Sequence, residues 1–208
     1  MNTSTKQGLN VLQPSNLLVL MVFYSPIIVA LSILSWTFVM QSVKGFVYLG
    51  FLLAMCVLRE FLYYISGNME GQSSNPVCHA LSFSKLGNNT FSAFMLAFTI
   101  VYISMPMFIN KSVNWMFLGA AISLFVTDIG VRKILGCSPN ISTIFLNISM
   151  GITLAVGIVG AMVSNGGEKF LFFNEIQSNK VICSRPKKQQ FKCAVYKNGE
   201  LISDNVVD

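Results

Sequence analysis

The sequence predicts an all-α, polytopic membrane helix bundle of about five transmembrane helices at 17–163, preceded by a polar N-terminal segment, 1–16, and followed by a basic C-terminal tail, 164–208. Three observations point there. Charged residues are only 11% of the chain against 53% hydrophobic, far below the roughly one-quarter charged content of soluble domains. The mean hydropathy is +0.63. Finally, the apolar residues fall into runs of about 20, the length that crosses a bilayer as helix, separated by polar segments.

Residues 1–16 carry one Lys and no apolar run, and the apolar stretch 17–40 is longer than the core of a cleaved leader, so it reads as a retained first span. Pro26 inside it removes a helix hydrogen bond. After the polar turn Gln41–Lys44, a second span covers 45–65 and carries Arg59 and Glu60 near its far end. Adjacent charges are costly in hydrocarbon, which places them at the interface or against a polar cavity. The loop Ser66–Asn89 is rich in Gly, Ser, Asn and Pro and holds Cys78 and the single histidine, His79. A third span is expected over 91–109, a fourth over 113–131 with Asp128 near its end and Arg132 and Lys133 just beyond, and a fifth over 141–163 after the Gly136–Asn140 breaker.

Beyond Ser164–Gly167, the run Phe170, Leu171, Phe172, Phe173 reads as an interfacial anchor. The tail then turns polar and basic, and Ala194–Ile202, with Asn198-Gly199 at its centre, reads as a small β-hairpin. A lone hairpin is marginal in water, so it needs a protein partner or the membrane face. Net charge of +6 beside hydrophobic spans points to anionic lipid headgroups and topology control, not nucleic acid.

Five spans put the 66–90 loop and the 132–140 turn on the face of the N-terminus. Lys44, Lys111, Lys169, Lys180, Arg185, Lys187 and Lys188 lie on the other face, and that excess favours a cytosolic C-terminal tail and a lumenal N-terminus in an endoplasmic reticulum-like endomembrane. Among the five cysteines, Cys78 and Cys137 share one face and Cys183 and Cys193 the other. Only one side of a membrane is ordinarily oxidising, so the two pairs compete, and this orientation favours Cys78–Cys137. There is no C-x-x-C spacing and one histidine, so no metal site is expected, and no cofactor.

Arg59, the run Asn88-Asn89-Thr90-Phe91-Ser92-Ala93-Phe94-Met95, and Arg132-Lys133-Ile134-Leu135-Gly136-Cys137-Ser138-Pro139 together resemble the three motifs of the type 2 phosphatidic acid phosphatase superfamily, in its dolichyl-diphosphatase-like branch. The resemblance covers about 40–163. It implies that the three segments converge on one extracytosolic recess for a lipid phosphate or diphosphate. Family members attack phosphorus with one imidazole and protonate the leaving oxygen with another. Here Phe91 stands at one histidine position, Ser138 at the nucleophile's, and Ser142 where its orienting carboxylate would be. Phe cannot titrate, and an unassisted Ser is a poor nucleophile. The resemblance therefore implies a member without catalytic residues, leaning away from an enzyme, in which Arg59, Asn89, Thr90, Arg132, Lys133 and Ser138 hold the phosphate.

Three other readings stand beside it. Arg59 and Arg132 pair internally with Glu60 and Asp128 in a purely structural or assembly protein of a cellular or viral membrane. Alternatively, displaced residues such as His79 and Ser138 run a working lipid phosphatase. A channel or transporter comes last, since no pore-like polar stripe is visible.

Overall fold

The computed structural model describes residues 14–67, 78, 88–137, 140–172, 191–197 and 200–207. The chain divides into two units, Met1–Ser178 and Asn179–Asp208. Among its described residues the first contains five helices long and apolar enough to cross a membrane: α1 (Pro14–Val39), α2 (Lys44–Ser66), α3 (Asn88–Ile109), α4 (Trp115–Ile134) and α5 (Ile141–Ser164).

α3 is the hub. Phe94, Phe98 and Tyr102 are fully buried along it, and 72% of its spanning window is inside the bundle, against 11% to 28% for the other four. α2 and α5 each turn one stripe inward, and the helices around α3 leave apolar side chains outward, as expected where lipid is the solvent. On α2 the inward stripe is Gly45, Tyr48, Leu52, Arg59 and Tyr63, spaced three, four and seven apart as one helical face requires. Arg59 thus lies on the packed face, continuous with the core.

On α5 the stripe is Asn147, Gly151, Ala155 and Val159, a four-residue repeat of mostly small residues that lets two backbones approach closely. A Cβ on Gly151 would lie 2.7 Å from the Phe94 carbonyl oxygen, so only glycine fits this crossing. The α1–α2 turn has the same requirement at Gly45, whose Cβ would collide with the buried Thr37 hydroxyl.

Two boundaries differ from expectation. α3 begins at Asn88, three residues before the expected start, so Asn89 and Thr90 are helical. α4 continues through Arg132 and Lys133 to Ile134, which sets Arg132 one helical turn from Asp128 on the same face. Glycines in left-handed conformation follow α2 and α4, with φ of 62° at Gly67 and 70° at Gly136, and stop both helices as an αL residue does.

The aromatic run after α5 is not an interfacial anchor as a whole. Gly167–Phe170 forms a 3-10 turn, and then Leu171 and Phe172 fold back into the core, 0% and 2% exposed, against Tyr48, Leu52, Phe98 and Met107. Phe170 alone of the described run stays outside, 38% exposed. The bundle therefore extends to Phe172 and is closed at that end by its own chain. Burial of two large side chains is worth about 1.5–3 kcal/mol each on a water reference.

In the second unit, Phe191–Lys197 and Glu200–Val207 pair antiparallel, with a register irregularity between Val195 and Tyr196. Asn198-Gly199, the expected turn, lies outside the described residues.

Candidate functional site

Two buried polar clusters that contain charged groups sit at the end where α2 and α4 finish and α3 and α5 begin. The first is built on Arg59, which is 0% exposed. Its Nε donates to Asn147 Oδ1 of α5 at 2.9 Å and its Nη2 donates to Thr90 Oγ1 of α3 at 3.1 Å. Nη1 lies 3.6 Å from the carboxylate of Glu60, the next residue, which is about one-third exposed. The guanidinium plane lies over the Tyr63 ring at 4.6 Å, with Phe91 at 5.4 Å and Phe94 at 5.7 Å, an aromatic surround that favours a cation. Asn147 spends its whole amide here: Nδ2 donates to the Tyr63 hydroxyl at 2.6 Å and to the Thr143 carbonyl at 2.8 Å. One arginine thereby ties α2 to α3 and α5.

The second cluster is built on Asp128, also 0% exposed. Arg132 Nε donates to its two oxygens at 3.2 and 3.3 Å. Ser25 Oγ of α1 donates to Oδ1 at 3.1 Å, and Ser92 Oγ of α3 donates to Oδ2. The carboxylate is thus paired and hydrogen-bonded, the condition for holding a charge in a low-dielectric interior. The Arg132 guanidinium lies over the Phe23 ring at 4.5 Å. Phe23 in turn packs against Cys78 and Cys137, which are joined by a disulfide with Cα atoms 5.3 Å apart.

α3 stands between the clusters. Thr90 faces Arg59 and Ser92 faces Asp128; at about 100° per residue these two side chains leave α3 on opposite sides. The single recess expected to gather both arginines is therefore divided by a helix. Of the six residues expected to hold a phosphate, Arg59 and Thr90 meet directly. Asn89 is buried one residue away. Arg132 belongs to the other cluster, neutralised by Asp128. Lys133 is exposed. Ser138 lies outside the described residues, as does His79. Among the described residues no group of three His, Cys, Asp or Glu gathers that would hold a metal ion.

Comparisons with protein-family models, curated proteins and solved structures find no match.

Sequence reasoning missed Asn147, Tyr63, Ser25 and Ser92. Asn147 left a trace, as the one side-chain amide inside the fifth apolar run; a membrane-embedded Asn must find hydrogen-bond partners on neighbouring helices. Tyr63 stands four residues after Arg59, the spacing at which side chains meet on a helix. Ser25 and Ser92 resemble any other small polar residue in a span, and nothing in the sequence separates them from serines bonded to their own backbone.

Proposed function

We propose that the chain is a non-catalytic, multi-pass membrane protein on the plan of the type 2 phosphatidic acid phosphatases, with a structural or assembly role. The observation that carries this reading is the direction of Arg59: its donors point inward to Asn147 and Thr90, and its face is covered by Tyr63 and Phe91, where phosphoryl transfer would need an imidazole. Groups already committed to one another hold helices together, and Phe91, beside the guanidinium, has no group that could act as base or nucleophile. The purified full chain in lipid nanodiscs is expected to release no phosphate above background from phosphatidic acid, an isoprenyl diphosphate or an aryl phosphate. Turnover of any of them that is lost in His79→Ala would overturn the reading and make His79 catalytic.

The second reading is that the Arg59 cluster holds a lipid phosphate without turning it over, and it is favoured by the direct meeting of Arg59 and Thr90 at the end of the bundle. Soluble short-chain phosphatidic acid would then raise the unfolding temperature of the wild type and leave Arg59→Met unmoved. Equal responses of the two proteins favour the purely structural role.

The orientation belongs to the same proposal. The Cys78–Cys137 disulfide suits an oxidising lumen, which sets the N-terminus lumenal and the basic tail in the cytosol, in reach of anionic lipid headgroups or a protein partner. Maleimide labelling of Cys183 and Cys193 in intact microsomes from the outer, cytosolic side is the expected result, and protection of both until the membrane is opened would reverse the orientation.

A further inference from the structure

α2 and α5 are bonded to each other at one end. Where α2 finishes and α5 begins, Asn147 of α5 accepts from Arg59 and donates to Tyr63, both of α2; elsewhere the two helices make little backbone contact with each other. At the opposite end the chain's own strap, Gly167–Phe172, supplies the packing. Leu171 and Phe172 join one buried cluster with Tyr48 and Leu52 of α2, Tyr102 of α3, and Ala155 and Val159 of α5. The chain reaches that position by reversing at Gly166, whose φ of 72° is left-handed. Within the strap, the Leu171 N–H donates to the Glu168 carbonyl at 3.0 Å.

Two features weaken this docking relative to its burial. In water, hiding a Leu and a Phe would hold the strap firmly, but beside a bilayer the released side chains enter hydrocarbon as apolar as the core they leave. Docking therefore rests on packing. Phe170, 38% exposed and with Lys169 Nζ 5.0 Å from its ring, already stands outside the core, an aromatic and a cation suited to the membrane interface. The second feature is the hydroxyl of Tyr102, which is fully buried and has no hydrogen-bond partner. Its neighbour Tyr48, ring centroids 5.5 Å apart, has its own hydroxyl 2.7 Å from Thr99 Oγ1. A buried hydroxyl left unpaired opposes the arrangement that buries it.

We propose that Gly167–Phe172 is a conformational strap with two seats, one docked in the core between α2, α3 and α5, the other released about Gly166 with Leu171 and Phe172 in the adjoining leaflet. Loosening the cluster lets the Tyr102 hydroxyl find water or a backbone carbonyl, so the cost of the docked seat is relieved on release. Release also adds up to about 20 Å of chain, six residues at about 3.3 Å each, between the end of α5 and the basic tail. The strap thereby sets how far the tail reaches from the bundle. This inference depends neither on what the Arg59 cluster does nor on which side of the membrane the tail faces.

The test is carbene footprinting of the full chain in phosphatidylcholine nanodiscs that carry a diazirine on the lipid chain, read residue by residue by mass spectrometry. In the wild type, Leu171 and Phe172 should label less than the outward Phe170 but clearly above Phe98, which is buried in the same cluster and has no second seat. Tyr102→Phe keeps the ring and removes the unpaired hydroxyl, so labelling of Leu171 and Phe172 should fall about five- to tenfold, the effect of one hydroxyl. Phe46 on the lipid side of α2 should label equally in both proteins and serves as the reference. The wild-type comparison needs no variant and so stands even if Tyr102→Phe does not fold. Labelling of Leu171 and Phe172 no higher than that of Phe98, or unchanged in a folded Tyr102→Phe protein, would each overturn the proposal.

Discussion

The two flanks of α3 are held by different physics. On the α5 flank, Asn147, Gly151, Ala155 and Val159 press against α3 with glycine allowing near contact of backbones; shape does most of the holding and the Arg59 hydrogen bonds close one end. On the α4 flank the helix buries only Asp128 and Arg132, and beyond them lie two apolar hollows. There the attachment is polar and covalent: four donor–acceptor contacts to one carboxylate, a ring beneath Arg132, and the Cys78–Cys137 bridge next to it. Without a hydrophobic drive between helices in lipid, a span that lacks close packing is held by such bonds.

The largest effect is expected where attachment rests on the fewest groups. Asp128→Ala leaves the Arg132 cation buried without its carboxylate and removes the acceptor of Ser25 and Ser92, a loss of about 3–5 kcal/mol for a broken buried pair. Thermal unfolding in detergent, followed by loss of helicity or by thiol exposure, reads it. Replacing both partners, Asp128→Leu with Arg132→Leu, should recover most of the loss, because no orphan charge is then left. A double variant as unstable as the single would mean that the serine bonds, and not the ion pair, hold α4.

Next comes the bridge beside that pair. Its partners are 59 residues apart in sequence, and replacing both by serine should cost about 2–4 kcal/mol. α4 should suffer before α5, so proteolysis or hydrogen exchange should first reach the 115–134 segment. Simultaneous loss of protection over 141–164 would show that the two flanks unfold as one.

On the opposite flank the probe is steric. Gly151→Ala places a methyl group 2.7 Å from the Phe94 carbonyl oxygen, and overpacking of this kind costs about 1–3 kcal/mol. Asn147→Ala falls in the same range, since it removes the Arg59 acceptor and two further bonds of the amide. If Gly151→Ala were silent, the α3–α5 crossing would have slack and the contrast between flanks would weaken.

How much of this was legible follows from the same contrast. The five spans were readable because apolar runs of the right length have few other uses. Asp128 and Arg132 were readable as an ion pair because their partnership is local, four residues along one chain. The face shared by Cys78 and Cys137 followed from counting spans. Arg59 was readable as special but not in what it touches, since Asn147 lies 88 residues away and no periodicity within either helix specifies the other. The burial of Leu171 and Phe172 was hidden for a similar reason: an aromatic run after a span has the same composition whether it floats at the interface or plugs the bundle. The division of the two arginines by α3 depends on which way Thr90 and Ser92 point, and the early start of the helix at Asn88 fixed that.

The smallest effect expected is at Phe91, one of the three rings around the Arg59 cation. The ring lies 5.4 Å from the Arg59 guanidinium carbon and is buried, but Tyr63 is nearer at 4.6 Å and the hydrogen bonds to Asn147 and Thr90 do not involve it. Phe91→Leu keeps an apolar side chain but removes the ring quadrupole and some buried volume, so the expected cost is about 1–2 kcal/mol. A Phe91→Leu protein as stable as the wild type would mean that the ring does not help to hold the Arg59 cation, and the aromatic surround would then rest on Tyr63 and Phe94 alone.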